Sequence, residues 1–241
     1  MAAADARGRR EGSGPAAVPV IAVDGPSGSG KGTLGAALAR RLRFHYLDSG
    51  ALYRIVARAA LAAGVDLGDG PRLAALAARL SIAFDLGETD VAVRVDGRDQ
   101  SVAIRAEPIS VAASQVAALP DLRTALLAVQ RGFRAHPGLV ADGRDMGTVV
   151  FPDARLKIFL EASPESRAQR RYNQLKDKDL GVSLRGLLES IRERDQRDRS
   201  RAVSPLVAAP DAVVIDSTRL SIDAVFEVVW RHVVAAGFAP R

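Results

Sequence analysis

The sequence predicts an α/β fold in which a five-stranded, doubly wound parallel sheet is flanked by helices and carries a small antiparallel-sheet insertion. Three observations support this class. Short apolar runs alternate with helical patterns of Leu, Ile and Val along the 241 residues. A glycine-rich segment joins the first apolar run to the first helical pattern, and residues 91–104 have a strand-turn-strand pattern instead. The chain is long enough for one such domain with an insertion.

The first strand and helix enclose the stretch DGPSGSGKGT at 24–33. Residues 20–23 form a buried-strand pattern, and Leu34, Leu38 and Leu42 recur at helical spacing. The spacing between Gly25 and Gly30-Lys31 fits a phosphate-binding loop. We therefore predict that ATP phosphates bind the whole segment, namely Gly25, Pro26, Ser27, Gly28, Ser29, Gly30, Lys31, Gly32 and Thr33.

The residue types in this loop suit phosphate chemistry. Glycines leave backbone N–H groups free to converge on a phosphate, and the helix N-terminus adds positive dipole at the same place. Lys31 supplies a full charge, and the Thr33 hydroxyl is suited to bind Mg²⁺. Gly32 separates these two residues, a variant typical of nucleoside-monophosphate kinases. The alternative, a glycine-rich structural turn, is disfavoured because a strand and a helix flank the loop.

The remaining parallel strands are short apolar runs. They are predicted at 44–47, within 138–145, at 155–162 and at 212–216. Helical patterns separate these strands. Several of the predicted helices begin at a capping residue or at a proline in their first turn. These helices lie at 50–63, from Pro71, from Pro120 to Phe133, from Pro164 after a Ser163 cap, over 183–201, and from a Ser221 cap to near Gly237.

The antiparallel insertion is predicted from residues 91–104. VAVRV at 91–95 alternates apolar and polar side chains, Asp96-Gly97 is a hairpin turn signal, and SVAI at 101–104 is predicted to return antiparallel. Asp24-Gly25, Asp48-Ser49 and 142–145 follow predicted parallel strands. We expect these charged segments to form a site at the carboxyl edge of the sheet.

Composition narrows the function classes. The chain has no cysteine, which excludes disulfides and thiol chemistry and fits a reducing cytoplasm. No apolar run is long enough to span a membrane, and 1–18 reads as a disordered tail without a signal-peptide core. The net charge of +6 comes from 30 Arg and 4 Lys spread along the chain with few aromatics, so a small anionic ligand is favoured over nucleic acid. We expect a monomer.

Four segments together resemble the bacterial cytidylate kinase family: DGPSGSGKGT, LDSGALYR, ADGRDMGTVVFPDA and RDQRDRSRAVSPL. The resemblance implies transfer of the γ-phosphoryl group of ATP to CMP or dCMP in pyrimidine nucleotide metabolism, with Mg²⁺. It also implies a phosphate-loop kinase domain over 19–241. Within it, the core spans 19–63 and 138–241, the insertion that binds the nucleoside monophosphate spans 64–137, and a short lid spans 168–185.

The resemblance also assigns roles to residues outside the loop. It implies that Arg54, Arg144 and Arg201 hold the CMP phosphate, with Ser49 and Asp198 as sugar or phosphate-side contacts. Arg194 and Arg170 are candidates to clamp the transferring group. An arginine fork suits this work because it binds phosphate bidentately and stays charged.

Base selection is assigned to a second group of residues. A carboxylate accepts a hydrogen bond from the cytosine amino group, which uracil lacks. Asp145 fits that role, with Arg123 and Ser114 completing the cytosine edge. Asp142 ends a strand, where an acid either lies near Mg²⁺ or supports the loop backbone.

The charged run SIRERDQRDRSR at 190–201 has two interpretations. Charge runs usually form a solvated helix face. Here the apolar stripe of Leu184, Leu187, Leu188 and Ile191 continues at helical spacing to Arg194, Asp195 and Asp198. We therefore expect these charges to point inward, into the site, where they need partners.

Three rival functions remain open at this point. One is another phosphate-loop small-molecule kinase, acting on UMP, shikimate or dephospho-coenzyme A. The second is a nucleotide-binding regulator that transfers nothing, and the third is a nucleic-acid-binding protein. The set of phosphate-clamping arginines and the group of Ser114, Arg123 and Asp145 favour the kinase acting on a cytosine nucleotide.

Overall fold

The computed structural model describes residues 18–175 and 183–238. Within them, the strands are β1 (Val20–Asp24), β2 (His45–Asp48), β3 (Ile82–Leu86), β4 (Val91–Val95), β5 (Arg98–Asp99), β6 (Leu139–Gly143), β7 (Leu156–Glu161) and β8 (Val213–Asp216). The helices are α1 (Lys31–Leu42), α2 (Ser49–Ala63), α3 (Gly70–Ala77), α4 (Glu107–Val116), α5 (Pro120–Gly132), α6 (Pro164–Leu175), α7 (Leu184–Ser200) and α8 (Ile222–Ala235).

A five-stranded parallel sheet forms the centre of the fold, as predicted. Its strand order is β2-β6-β1-β7-β8, so β1 is buried between β6 and β7. The register pairs Asp24 with Gly143 and Asp48 with Asp142. The carboxyl ends of β1, β2 and β6 therefore lie side by side at one edge, which brings the predicted charged segments together.

Helices cover both faces of this sheet. On one face, Leu34, Leu38 and Leu42 of α1 are buried with Val229 and Val233 of α8, so their predicted apolar stripes are confirmed. On the other face, the core is built from α2, α4 and α5. Trp230 packs at the edge of the first core and stacks on Phe226. Each face buries apolar side chains that drive the folding of this layer.

Side-chain caps explain where several helices begin. Ser163 Oγ accepts from Ser166 N at 3.2 Å, and Ser221 Oγ accepts from Ala224 N at 3.2 Å, which confirms both predicted caps. Asp48 Oδ1 accepts from Ala51 N at 2.9 Å at the start of α2. Ser183 caps α7 in the same way. Each cap satisfies a backbone N–H that has no partner within its helix.

The insertion differs from its prediction in one strand. SVAI at 101–104 is not a strand: it forms a turn that leads into a short 3₁₀ helix at Ala103–Arg105. The antiparallel sheet instead has the order β3-β4-β5, and β5 is only Arg98–Asp99. The tight Asp96-Gly97 turn starts pairing at once, with Val95 opposite Arg98, so the returning strand ends before residue 101.

Two helical segments have no counterpart in the sequence prediction. α4 follows the 3₁₀ helix, and a π-helical turn covers Met146–Val150 after β6. The predicted stripe on α7 is confirmed for Leu187, Asp195 and Asp198, which are buried, but Leu184 is 41% exposed. The predicted tail (1–18) and lid (168–185) fall largely or partly outside the described residues.

Among the helices of the described residues, none has the length and apolar composition needed to cross a membrane.

Candidate active site

The phosphate loop lies between β1 and α1 in a conformation that requires glycine. Gly25 has a φ of +152°, and a Cβ placed on it would lie 2.2 Å from the carbonyl oxygen of Leu160. Gly30 has a φ of +96° at the start of α1. Both positions are strained or blocked for other residues. The loop therefore presents backbone rather than side chains to its open side.

A cleft of about 920 Å³ opens above the loop. Its walls include the loop from Ser27 to Thr33, Asp48 and Arg54 at the end of β2 and on α2, and Arg194 on α7. Residues 89–91 of the insertion form the opposite wall. The volume is that of a site for drug-sized or nucleotide-sized ligands.

Lys31 is buried at the base of this cleft. Its Nζ donates to Pro26 O at 3.3 Å. Burial and, after it, the positive charge of Arg144 lower the pKa of Lys31 to about 7. An anion bound beside this lysine strongly stabilises the charged form of its side chain, because the attraction compensates the free-energy cost of burying the charge.

Asp142 and Tyr46 form a buried pair next to the loop. Tyr46 OH donates to Asp142 Oδ2 at 2.7 Å and lies 3.3 Å from Gly32 O. Burial and the nearby charge of Asp48 raise the pKa of Asp142 to about 6. A Cβ on Gly32 would lie 3.1 Å from Asp142 Oδ2, so this carboxylate touches the loop backbone between Lys31 and Thr33.

Asp24 has a structural role that is not among those predicted from the sequence. Its carboxylate accepts from Met146 N at 2.9 Å and from Gly147 N at 2.8 Å. Burial raises the pKa of Asp24 to about 7, although these two N–H groups act in the opposite direction. Asp24 thus ties the end of β1, where the phosphate loop begins, to the segment that follows Asp145. The only feature of the sequence that pointed to a role for Asp24 was its position at the end of a predicted strand.

Arg144 and Arg201 share one carboxylate. Arg144 Nε donates to Asp198 Oδ2 at 2.8 Å, and Arg201 Nη2 donates to Asp198 Oδ1. Burial would raise the pKa of Asp198, but the two guanidinium groups outweigh it and hold that pKa below its usual range. Asp198 therefore contacts the predicted phosphate-binding arginines directly and orients their forks.

Arg54 and Arg194 complete a cluster of four arginines. Burial, followed by the charge of Arg144, lowers the pKa of Arg194 to about 10, and Arg54 and Arg201 add to this effect. Arg54 Nη1 lies 4.0 Å from Asp48 Oδ2. Within the described residues, the Nε groups of Arg54, Arg194 and Arg201 are buried without a hydrogen-bond partner. An excess of positive charge on half-buried side chains, with unpartnered donors among them, suits an anionic ligand.

The predicted base-recognition residues form a second group. Arg123 Nη2 donates to Asp145 Oδ2 in a buried ion pair, and Arg123 Nη1 donates to Ala117 O at 3.1 Å. The guanidinium lies 5.7 Å from the ring centre of Tyr53. Ser114 Oγ is buried without a partner among the described residues. The structure thus brings Arg123 and Asp145 together, outside the residues that line the large cleft.

Two further arginines on α6 contact the phosphate loop. Arg170 donates to Ser29 O at 3.3 Å and to Ser217 O at 2.5 Å, so carbonyl oxygens occupy the fork that was predicted to clamp the transferring group. Arg167 is fully buried and donates to Ser27 O at 3.0 Å. Arg167 is not among the site residues predicted from the sequence. Ser49, at the start of α2, is buried beside Gly143.

The loop also offers ligands for a magnesium ion that accompanies a nucleotide. Thr33 is exposed in the cleft in the first turn of α1, and the Asp142 carboxylate lies beside the backbone of Gly32. Hydroxyl and carboxylate oxygens are the donors that Mg²⁺ prefers. The residues present therefore fit this ion.

The fold and the site together define a phosphotransferase of the phosphate-loop class. Comparison with known proteins specifies it further: the family model described as cytidylate kinase matches residues 21–235. A cytidylate kinase of Aeromonas salmonicida is 56% identical over 218 residues, covering 90% of this chain and 95% of the relative. One of Pseudomonas aeruginosa is 57% identical over 218 residues with the same coverage, and one of Proteus mirabilis is 56% identical over 210 residues, covering 87% and 93%. The chain belongs to the cytidylate kinase family.

Proposed function

We propose that this kinase transfers the γ-phosphoryl group of ATP to CMP or dCMP and releases ADP with CDP or dCDP. The observation that carries the proposal is the cluster of Arg54, Arg144, Arg194 and Arg201, of which Arg54 and Arg194 line the same cleft as the buried Lys31 of the phosphate loop. Two anionic phosphates must approach each other closely in this reaction. Arginines clustered opposite a phosphate loop neutralise the negative charge of both phosphates.

On the donor side, the phosphate loop holds the ATP phosphates. Its backbone N–H groups and the α1 N-terminus point at the β- and γ-phosphates, and Lys31 pairs with them. The incoming negative charge raises the pKa of Lys31 above the value of about 7 that burial imposes, so the lysine is a full cation when ATP is bound. Thr33, with Asp142 nearby, would hold Mg²⁺, and the ion would neutralise negative charge on the ATP phosphates.

On the acceptor side, Arg54, Arg144 and Arg201 hold the CMP phosphate in line with the γ-phosphorus. One phosphate oxygen of CMP forms the new P–O bond, and the bond between the γ-phosphorus and the β–γ bridging oxygen breaks. The acceptor oxygen is already ionised near neutral pH, so the step needs no strong general base. Arg194 stabilises charge on the transferring group.

Base selection belongs to Asp145, Arg123 and Ser114. The Asp145 carboxylate accepts from the cytosine amino group, and Arg123 and Ser114 donate to the rest of the base edge. Uracil places a carbonyl oxygen against the same carboxylate and is therefore disfavoured. Asp198 and Ser49 contact the sugar or the phosphate side of the nucleotide.

The first test is ADP formation from Mg·ATP with CMP, dCMP, UMP and AMP side by side. We expect turnover with CMP and dCMP, slow turnover with UMP, and none in a Lys31→Ala control. Equal rates with all four acceptors would contradict the cytosine pocket but would still support kinase activity. ATP binding without any turnover would instead support a regulator.

The domain roles, the monomeric state and the cytoplasmic location remain predictions. Residues 64–137 are the proposed monophosphate-binding unit, and the lid is proposed around 168–185. Size-exclusion chromatography with light scattering checks the monomer, and fractionation of cells checks the location.

A further inference from the structure

Arg167 on α6 and Asp195 on α7 form a buried ion pair beneath the phosphate loop. Arg167 is 1% exposed and Asp195 is 9% exposed. Arg167 Nη1 donates to Asp195 Oδ1 at 2.9 Å, and Nη2 donates to Oδ2. Two parallel hydrogen bonds of this kind fix the relative orientation of the two side chains as well as their separation.

The same guanidinium also holds the phosphate loop. Its Nη1 donates to Ser27 O at 3.0 Å, and its Nε donates to Ala162 O at 2.9 Å. A Cβ placed on Gly28 would lie 3.4 Å from the Cβ of Arg167, so the loop rests directly on the stem of this side chain. Arg167 thus joins the loop, the end of β7 and α7 at one point.

Helix α7 carries the residues that organise the acceptor side. Arg194 directly precedes Asp195 and lines the cleft. Asp198 lies three residues further along the same buried face, where it holds Arg144 and Arg201. A path of direct contacts therefore runs from the Ser27 carbonyl through Arg167 and Asp195 to the helix that orients the phosphate-binding arginines.

We propose that Arg167 and Asp195 are positioning residues that set the distance between the donor-phosphate loop and the acceptor-phosphate arginines. The proposal rests on the proposed function, because only a transfer between two bound phosphates requires this distance to be fixed. Each substrate keeps its own contacts when the pair is lost, but their relative placement loosens. Misplacement of reacting groups lowers kcat more than it raises KM.

The test removes both charges together in an Arg167→Met, Asp195→Leu double variant. Removing one partner alone would leave an unpaired buried charge and destabilise the fold for a different reason. The matched control is an Arg192→Gln, Glu165→Gln double variant. That pair also joins α7 to α6, with 2.8 Å between Arg192 Nη2 and Glu165 Oε1, but both side chains are more than half exposed.

The readouts are the melting temperature, kcat, and the KM values for ATP and CMP. We expect the folded Arg167→Met, Asp195→Leu enzyme to lose about 30-fold or more in kcat while both KM values stay within about threefold. The control should stay within about twofold throughout. A folded double variant with kcat within about threefold of the wild type would overturn the proposal and leave the pair a purely structural feature.

A second variant covers the case in which the double variant does not fold. Arg167→Lys keeps the charge but not the fork, so we expect about a tenfold loss of kcat with unchanged KM values. Wild-type kcat in this variant would overturn the proposal. Failure of the proposed function has a different signature, because the wild type and the control would then also fail to phosphorylate CMP.

Discussion

At the scale of single residues, the site concentrates buried charge at the carboxyl edge of the sheet. Asp24, Lys31 and Asp142 are all buried there, and burial shifts the pKa of each toward neutrality. Burying ionisable groups costs free energy, and the cost is recovered only when each group has a partner. Mutations of buried charges at this edge are therefore expected to alter the pH dependence of stability or the preference for one substrate over another.

Replacing Asp24 by Asn is expected to change how stability depends on pH. The folded-state pKa is raised from 3.8 to about 7, so this group's contribution to stability is full below pH 4 and is lost as the pH rises to 7. Asn does not titrate. Urea unfolding between pH 4 and 8 should therefore show the wild type losing up to about 4 kcal/mol relative to Asp24→Asn as the pH rises. Parallel curves for the two proteins would contradict the raised pKa.

Replacing Asp145 by Asn is expected to reverse the hydrogen-bond pattern offered to the base. The Asn amide can donate to the uracil carbonyl, which the carboxylate repels. We expect the ratio of kcat/KM for CMP over UMP to fall by about tenfold or more, and Asp145→Ala to lower it as well. Steady-state kinetics with both acceptors measures this ratio. An unchanged ratio in both variants would show that Asp145 does not read the base.

At the scale of elements, α7 joins an apolar stripe to a charged one on the same face. Leu187 packs inward near the start of the helix, and Asp195 and Asp198 are buried about two and three turns later. The charges are tolerated because arginines pair with them, namely Arg167 on α6, Arg144 after β6 and Arg201 at the C-terminal end of α7 itself. The helix therefore works as a scaffold for the acceptor side, and its two ends should respond differently to mutation.

This contrast can be tested with two arginines on α7. Arg194 is half-buried and lines the cleft, whereas Arg185 is exposed and forms an ion pair with Glu189 one turn away. We expect Arg194→Ala to lower kcat by about 10²- to 10³-fold, since it removes a donor aimed at developing charge. Arg185→Ala should change kcat by less than about twofold. Similar kcat values for the two variants would remove Arg194 from the catalytic machinery.

At the scale of the whole molecule, the cleft is bounded by the core on one side and by the insertion on the other. Arg40 on α1 already reaches the β3–β4 turn, donating to Gly87 O at 2.6 Å and to Asp90 O at 2.7 Å. Arg171 on α6 pairs with Glu107 on α4 across the same cleft, with 3.3 Å between Nη2 and Oε2. These contacts across the cleft involve exposed side chains, so they restrain the width of the cleft only weakly.

We expect the molecule to become more compact when both substrates bind. Phosphates held between arginines and the loop draw the walls of the cleft together, and closure excludes water from the transfer. Small-angle scattering should show a smaller radius of gyration with CMP and a non-hydrolysable ATP analogue together than with neither. CMP alone serves as the comparison. Identical scattering in all three states would count against closure.

The sequence by itself determined the class of fold and the phosphate loop. Both depend on local features: the apolar runs that became β1, β2, β6, β7 and β8, the stripes of α1 and α8, and the glycine spacing between Gly25 and Lys31. Patterns of this kind can be recognised from the order of apolar and polar residues within a short stretch of sequence. The caps Ser163 and Ser221 were also predictable, because a cap satisfies N–H groups only three residues away.

Only the tertiary structure decided which charges meet. Asp24 lies 123 residues from Gly147 and Arg167 lies 28 residues from Asp195, so no local pattern pairs them. The same holds for SVAI at 101–104, which was predicted to return antiparallel: β5 pairs only Arg98 and Asp99 with β4, and the chain then turns into the 3₁₀ helix. Side-chain pairing depends on distances that the packed sheet and helices set, and these distances arise only once the chain has folded.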